Sequence, residues 1–162
     1  MRESPHHYLI ALGSNRRGGK AVSPRAVLAQ ALAAIDMPVV VRSQIIDTAP
    51  LGPGTRRYAN AAAIIMSRLS PDDLLEHLKQ IERSFGRKRG RRWGDRVLDL
   101  DIILWSGGIW VSPELAVPHV SFRDRDFVLI PAAEIAGAWR DPLTGLKISH
   151  LKARLDRKRP RN

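Results

Sequence analysis

Strand-like and helix-like segments alternate along this chain in a set order, and that order limits the folds it can adopt. Four apolar or β-branched runs predict strands, over residues 8–12, 39–46, 58–66 and 98–105. Apolar residues spaced three and four apart predict a helix over 24–35, between the first two strands, and another over 74–85, between the last two. This β-α-β-β-α-β order is typical of a ferredoxin-like, split βαβ domain of the α+β class.

Serine and proline mark where the two core helices begin. Ser23-Pro24 and Ser70-Pro71 each place a capping hydroxyl before a helix-compatible proline, and Gly86 marks the end of the second helix. After the last core strand, Ser106-Gly107-Gly108 predicts a tight turn that returns the chain as a hairpin strand over 109–111. Two further helices are predicted, over 126–136 and 149–155.

Length and composition favour one domain. We expect residues 1–162 to form a single domain whose basic end, from about residue 156, is flexible. The absence of cysteine excludes a disulfide scaffold and a thiolate zinc site, and it suits a reducing compartment. The sequence has no signal-peptide pattern and no apolar run of about 18 residues that could cross a bilayer. A cytoplasmic protein is therefore predicted, and we expect it to act as a monomer.

The net charge of +11 is concentrated in two segments. Residues 87–96 contain six basic residues and one acidic residue, a net charge of +5. Residues 147–162 contain seven basic residues and one acidic residue, a net charge of +6, so the rest of the chain is neutral. Such a balance raises nucleic acid as a partner, but confinement to one loop and one tail also fits a solvated charge run.

Asp99 and Asp101 are the leading candidates for chemistry. On an extended strand their side chains share one face, with the Cα atoms roughly 6.5–7 Å apart. The opposite face would carry Leu98, Leu100, Ile102 and Leu104. Two neighbouring carboxylates repel each other unless a cation offsets them, and oxygen ligands without His or Cys favour Mg²⁺. The alternative is an exposed strand end whose acids pair with arginines.

An arginine-rich loop, residues 86–96, precedes this strand. Arginines bind phosphate oxygens bidentately and glycines let a loop move, so an acid pair beside such a loop predicts phosphoryl or pyrophosphoryl transfer. No Walker A sequence, Gly-x-Ser-x-Gly motif or paired-histidine zinc motif occurs. His119, and the pair Tyr58 and Asn60, are weaker candidates. The histidine can equally be structural, and the pair can be an ordinary surface feature.

Several stretches between about residues 8 and 145 form a specific series. The most specific is Arg92-Trp93-Gly94-Asp95-Arg96-Val97-Leu98-Asp99-Leu100-Asp101-Ile102, followed by Val117-Pro118-His119. Others are Ala11-Leu12-Gly13-Ser14-Asn15, Tyr58-Ala59-Asn60-Ala61-Ala62 and Arg125-Asp126-Phe127-Val128-Leu129. Together they resemble the 6-hydroxymethyl-7,8-dihydropterin pyrophosphokinase family. That family moves a pyrophosphoryl group from ATP to a pterin alcohol in folate synthesis. Its fold is a three-layer α/β sandwich on an antiparallel sheet.

The resemblance implies a role for each candidate. Asp99 and Asp101 would hold two Mg²⁺ ions, and Arg87 and Arg96 would close over the triphosphate as catalytic residues. ATP would be the co-substrate, contacted by Glu82, Arg89, Arg92, Ile102, Leu115, His119 and Arg125. The pterin would be bound by Thr48, Leu51, Tyr58, Asn60, Trp93 and Phe127.

The alternative is a ferredoxin-like RNA-binding module, which would share the element order and the basic charge. RNA-binding sheets of this type present aromatic and basic side chains, whereas Asp99 and Asp101 would repel phosphate without a metal. We therefore expect the small-molecule substrates ATP and 6-hydroxymethyl-7,8-dihydropterin, with no obligatory nucleic acid and no membrane partner.

Overall fold

The structure, a computed structural model, describes residues 4–14, 23–48, 58–86 and 97–158. The strands are β1 (His6–Ser14), β2 (Val39–Arg42), β3 (Ile46–Thr48), β4 (Tyr58–Ser67), β5 (Asp99–Trp105), β6 (Trp110–Val111) and β7 (Ala116–Val117). The helices are α1 (Pro24–Ala34), α2 (Pro71–Ser84), α3 (Asp126–Ala136) and α4 (Ile148–Lys158), with a 3₁₀ turn at Phe122–Asp124.

One antiparallel sheet carries the strands in the order β2-β4-β1-β5, and β3 also pairs with β4. In the middle of the sheet, Gly13 of β1 pairs with Asn60 on one side and with Asp99 on the other. The strands that flank α1 are separated in the sheet by β4, which is the split βαβ arrangement. The predicted ferredoxin-like fold on an antiparallel sheet is confirmed.

Helices cover both faces of the sheet, so the domain has three layers. The first core lies under α1 and α2, where Ile10 of β1 packs with Leu28 and Leu78. The second core lies under α3 and α4, where Leu9 of β1 packs with Leu129. Because side chains alternate along a strand, adjacent residues of β1 enter different cores.

Both core helices begin as predicted. The Ser23 hydroxyl accepts a 3.2 Å hydrogen bond from the Ala26 N–H, and the Ser70 hydroxyl accepts a 3.3 Å bond from the Asp73 N–H. These bonds satisfy backbone donors that a helix leaves unpaired in its first turn. Gly86 has a φ of +106°, which an L side chain rarely adopts, and α2 ends just before it.

The prediction of one continuous strand over residues 39–46 is wrong. Arg42 pairs with Ala63 and Ile46 pairs with Asn60, so the edge chain contains one residue more than β4 over this interval. Ser43 accommodates the bulge, because its N–H donates to the Ala62 carbonyl and its hydroxyl accepts from the Ala62 N–H, both at 2.8 Å. The Ser43 hydroxyl therefore accepts the bond that a backbone carbonyl would accept in a regular strand pair. The edge chain is divided there into β2 and β3, which both pair with β4.

Two predictions at the end of β5 are also wrong. Leu9 pairs with Leu104 while Ile10 pairs with Ile102, so a bulge at Ile103 sends Leu104 into the second core rather than the first. The following segment forms no hairpin with β5, because β6 pairs with β7 instead. The indole N–H of Trp110 donates to Asp72 at 3.3 Å, which draws this segment towards the start of α2.

The last helix extends beyond its predicted end at residue 155 and finishes at Lys158. The predicted flexibility of the basic end stays a prediction, since residues 159–162 lie outside the described ranges. Within the described ranges, no helix combines the length and the apolar character needed to traverse a bilayer.

Candidate active site

The sheet face beneath α3 and α4 is covered at one end and open at the other. Leu9, Ala62 and Ile103 are buried in the second core. Further along the same face, the residues Ala11, Gly13, Tyr58, Asp99 and Asp101 are all partly exposed. Together with Asn60, these five residues form what we call the open shelf.

Strand register brings the predicted acid pair and the predicted Tyr-Asn pair onto this shelf. Asp99 lies opposite Gly13, which lies opposite Asn60, so these residues form one row across three strands. Asp101 lies opposite Ala11 in the next row, and Tyr58 precedes Asn60 by two residues on the same face. Four residues from two distant stretches of sequence therefore share one surface.

Gly13 is part of the site although the sequence reasoning assigned it no role. A Cβ atom at this position would lie 3.1 Å from the Asn60 side-chain oxygen, closer than such contacts normally are. Asn60 is only 7% exposed, so its amide has little room to move. In the sequence, the signal for this role was the glycine directly after the apolar run of β1, because a glycine in a strand often marks a close approach of another group.

His119 stands beside the acid pair. Its backbone N–H donates to the Ile103 carbonyl at 3.0 Å, and its Nδ1 accepts from the Ser121 N–H at 3.1 Å. The proton of the neutral ring is therefore on Nε2. Burial lowers the pKa of His119, the Asp101 carboxylate acts in the opposite direction, and the Arg125 charge lowers it further. Both charges therefore act on the His119 ring, one from the acid pair and one from the residue before α3.

Arg125 and Phe127 lie where α3 begins. The Arg125 guanidinium carbon is 5.7 Å from the centre of the Phe127 ring, within reach of a cation–π contact. The Arg125 carbonyl accepts from the Leu129 N–H at 3.0 Å, which fixes its backbone in the first turn of the helix. The 3₁₀ turn and the start of α3 thus bring a cation and an aromatic ring to the side of the shelf where His119 stands.

Three residues predicted to bind ATP lie away from the open shelf. Glu82 is 3% exposed; its carboxylate accepts from the Leu100 N–H at 2.8 Å and pairs with Lys79 at 3.2 Å. Ile102 is buried in the first core, and Leu115 packs against that core. Their assignment to nucleotide binding stays a prediction.

Several predicted site residues lie outside the described ranges. The structure describes neither the pterin-side residue Leu51 nor the loop residues Arg87, Arg89, Arg92, Trp93 and Arg96. For Thr48 only the backbone is described, which pairs with Tyr58 at the entrance to the shelf. The roles of these seven residues stay predictions.

The donor set at the shelf fits magnesium. Within the described ranges, no group of three or more His, Asp or Glu side chains is arranged to hold a metal ion. Asp99 and Asp101 instead offer two carboxylates on a partly exposed surface. Magnesium is commonly held in this way, by one or two carboxylates together with water and phosphate oxygens.

The fold and site define a class: a ferredoxin-like α/β/α domain with an acid pair beside side chains suited to a phosphorylated ligand and a planar ring. The family model described as 7,8-dihydro-6-hydroxymethylpterin-pyrophosphokinase (HPPK) matches residues 9–137. The chain belongs to the HPPK family, which confirms the resemblance read from its sequence and the expected enzyme class, a diphosphokinase.

Two curated relatives are both named 2-amino-4-hydroxy-6-hydroxymethyldihydropteridine pyrophosphokinase. The protein from Haemophilus influenzae is 42% identical over 132 residues, covering 78% of this chain and 79% of the relative. The protein from Pseudomonas aeruginosa is 40% identical over 138 residues, covering 82% of each chain.

Among solved structures, wild-type HPPK-DHPS of Plasmodium falciparum with SDX-DHP is similar, with a TM-score of 0.72 at 12% identity. The match covers 95% of this chain and 45% of that one, so this chain spans less than half of its length. At this identity the likeness supports the fold alone.

Proposed function

We propose that this chain transfers the pyrophosphoryl group of ATP to 6-hydroxymethyl-7,8-dihydropterin in folate biosynthesis, giving AMP and the pterin diphosphate. The observation that carries the proposal is the open shelf, where Asp99 and Asp101 share one surface with Tyr58 and Asn60. Relatives about 40% identical to this chain are named for the same pterin substrate and the same pyrophosphokinase reaction, which supports the proposal.

The pterin pocket would form between the shelf and the start of α3. Tyr58 and Phe127 would stack on the two faces of the bicyclic ring, while the Asn60 amide would hydrogen-bond its edge. Thr48 and Leu51 would complete the pocket, and Trp93 would pack the arginine-rich loop over it. A flat, polar ring can be held in this way by few side chains.

The reaction requires in-line positioning and charge neutralisation more than a protein nucleophile. The pterin hydroxyl oxygen attacks the β-phosphorus of ATP, the bond from that phosphorus to the α–β bridging oxygen breaks, and AMP leaves. The hydroxyl proton passes to solvent. His119 would donate from Nε2 to a phosphate oxygen, and Arg125 would offset phosphate charge beside it.

Asp99 and Asp101 would hold two magnesium ions. When bound, the metal neutralises triphosphate charge and orients the reacting oxygens. Arg87 and Arg96 would close on the triphosphate from the arginine-rich loop, and Arg89 and Arg92 would add nucleotide contacts. Ile102 and Leu115 would line the nucleotide side from the first core.

We also propose that residues 1–162 act as a single domain, as a monomer and in the cytoplasm. An RNA-binding module of the same fold is the less favoured candidate. The sheet face that would contact RNA carries Asp99 and Asp101, and carboxylates repel a phosphate backbone.

AMP formation tests the proposed function. The protein is incubated with ATP and Mg²⁺, with and without 6-hydroxymethyl-7,8-dihydropterin, and AMP is quantified by chromatography. We expect AMP only with the pterin alcohol, and none with 7,8-dihydropterin, which lacks the accepting hydroxyl. Failure to form AMP, together with salt-dependent RNA binding that ATP and Mg²⁺ leave unchanged, would favour the RNA-binding module.

A further inference from the structure

A bidentate ion pair joins the 3₁₀ turn beside the site to a distant loop. Arg123 lies in the middle of the turn, and Asp141 lies between α3 and α4. The Arg123 Nε donates to one Asp141 carboxylate oxygen at 2.6 Å, and its Nη2 donates to the other at 2.8 Å. The Asp141 side chain is 0% exposed, whereas the Arg123 side chain is 23% exposed. Fork-to-fork geometry of this kind fixes orientation as well as distance.

Asp141 is itself held rigidly. Its carboxylate also accepts from the Thr144 hydroxyl at 2.8 Å and from the Leu143 N–H at 3.1 Å. Its backbone N–H donates to the Leu146 carbonyl at 2.9 Å, and its carbonyl accepts from the Gly145 N–H at 2.8 Å. Asp141 is therefore a fixed anchor, tied to its own loop before it contacts Arg123.

The 3₁₀ turn depends on that anchor because its own backbone bonds are long. The Asp124 N–H lies 3.4 Å from the Ser121 carbonyl, and the Arg125 N–H lies 3.4 Å from the Phe122 carbonyl. Phe122 is fully buried, and the Arg123 guanidinium lies over its ring at 4.7 Å from the ring centre. The ion pair thus links the turn to the Asp141 loop, with the Arg123 guanidinium held between Asp141 and the buried Phe122 ring.

The residues on either side of Arg123 include three of the predicted ligand contacts. His119 precedes it and is bonded to β5, while Arg125 and Phe127 follow it at the start of α3. We propose that Arg123 and Asp141 are positioning residues that hold His119, Arg125 and Phe127 in place for ligand binding. This inference rests on the proposed function for the identity of the ligands, and it assigns to the pair no contact with them.

Steady-state kinetics of Arg123→Gln and Asp141→Asn test this role. We expect each variant to raise the KM for ATP and for the pterin by about 10-fold, because a loosened turn no longer holds His119, Arg125 and Phe127 in their binding positions and small misplacements are costly. Arg123→Lys keeps the positive charge but cannot make both hydrogen bonds to the carboxylate, so its KM values should lie between those of wild type and Arg123→Gln. All assays are run well below the melting temperature of each variant.

The matched control is Leu151→Ala, which destabilises the second core beneath α4 without touching the ion pair. Its KM values should stay at the wild-type level although its melting temperature falls. An equal rise in KM in this control would overturn the proposal, because general destabilisation would then account for the effect. Unchanged KM values in Arg123→Gln and Asp141→Asn would also overturn it.

A spectroscopic measurement separates this inference from the proposed function. The ring resonances of His119, identified with a His119→Gln variant, are recorded by NMR in the protein without ligands. Arg123→Gln should shift them and Leu151→Ala should not. Should the wild-type protein form no AMP, the proposed function fails, and this comparison alone decides the role of the pair. Unshifted resonances in Arg123→Gln would then overturn it.

Discussion

The Glu82 carboxylate accepts a 2.8 Å hydrogen bond from the backbone N–H of Leu100, the residue between Asp99 and Asp101. The bond reaches from α2 to β5 through the first core, where the Glu82 side chain is 2% exposed and balanced by Lys79. A buried helix residue therefore holds, from the opposite face of the sheet, the backbone that carries the acid pair.

Removing this acceptor should destabilise the protein. We expect Glu82→Ala to lower the free energy of unfolding by about 1–3 kcal/mol, because it leaves the Leu100 N–H buried without its acceptor. The measurement is urea unfolding followed by circular dichroism. Glu76→Ala is the control, since Glu76 pairs with Arg83 on the surface, where such pairs contribute about 0–1 kcal/mol. Equal losses in the two variants would contradict the buried role of Glu82.

Neutralising either member of the acid pair should abolish most turnover without unfolding the protein. We expect Asp99→Asn and Asp101→Asn each to reduce kcat by about 100-fold or more. Each variant would lose a magnesium ligand, and with the metal the neutralisation of phosphate charge in the transition state. The melting temperature should change little, since both residues are partly exposed. Asp47→Asn, which alters an exposed pair with Arg25, is the control. Full activity in both Asp99→Asn and Asp101→Asn would contradict the assignment of these residues as magnesium ligands.

A methyl group at Gly13 should disturb pterin binding selectively. In Gly13→Ala the new Cβ would lie 3.1 Å from the Asn60 oxygen, so the amide must shift by a few tenths of an ångström. We expect the KM for the pterin to rise roughly 2- to 13-fold, since one misplaced hydrogen bond typically costs about 0.5–1.5 kcal/mol. The KM for ATP, measured in the same assays, is the internal control. A rise confined to ATP would contradict the placement of the pterin beside Asn60.

Tyr8 should make stability fall at alkaline pH. Burial, reinforced by the Asp73 charge, raises the pKa of Tyr8 to about 12 from its ordinary value of 10.0. Its hydroxyl donates to the Leu69 carbonyl at 2.6 Å. Because the folded-state pKa lies above the unfolded value, the stabilisation is complete below pH 10 and is lost as the pH rises towards 12.

The two tyrosines of the chain make this pH dependence easy to isolate. The free energy of unfolding is measured in urea between pH 8 and pH 11.5 for wild type, Tyr8→Phe and Tyr58→Phe. We expect wild type and Tyr58→Phe to lose roughly 1–2 kcal/mol more than Tyr8→Phe over this range. Parallel curves for all three proteins would show that Tyr8 does not titrate with unfolding.

Prediction from the sequence succeeded where the signal was local and repeated. The Ser-Pro starts of α1 and α2, the apolar stripe of α2 and the alternation over residues 98–102 each arise from contacts within one element. They predicted the helices and the shared face of Asp99 and Asp101. The resemblance drawn from the same stretches predicted the family.

Prediction failed where one element is shaped by another. Ser43 interrupts a β-branched run because its hydroxyl bonds to β4, and Leu104 changes face because β5 bulges against β1. The segment that contains Trp110 does not pair with β5, and the Trp110 indole N–H donates instead to Asp72, which is far away in sequence. In each case the contact is made by a segment distant in sequence, and that segment cannot be inferred from the residues whose structure it changes.

The sequence by itself determined the two core helices, the shared face of the acid pair and the family, because periodicity, capping and residue type are properties of short segments. The tertiary structure alone decided that β1 separates the acid pair from Asn60 and requires a glycine between them. It also decided that Asp141 anchors the turn beside His119. Pairing across strands and between loops depends on which distant segments meet, and that is settled only when the whole core packs.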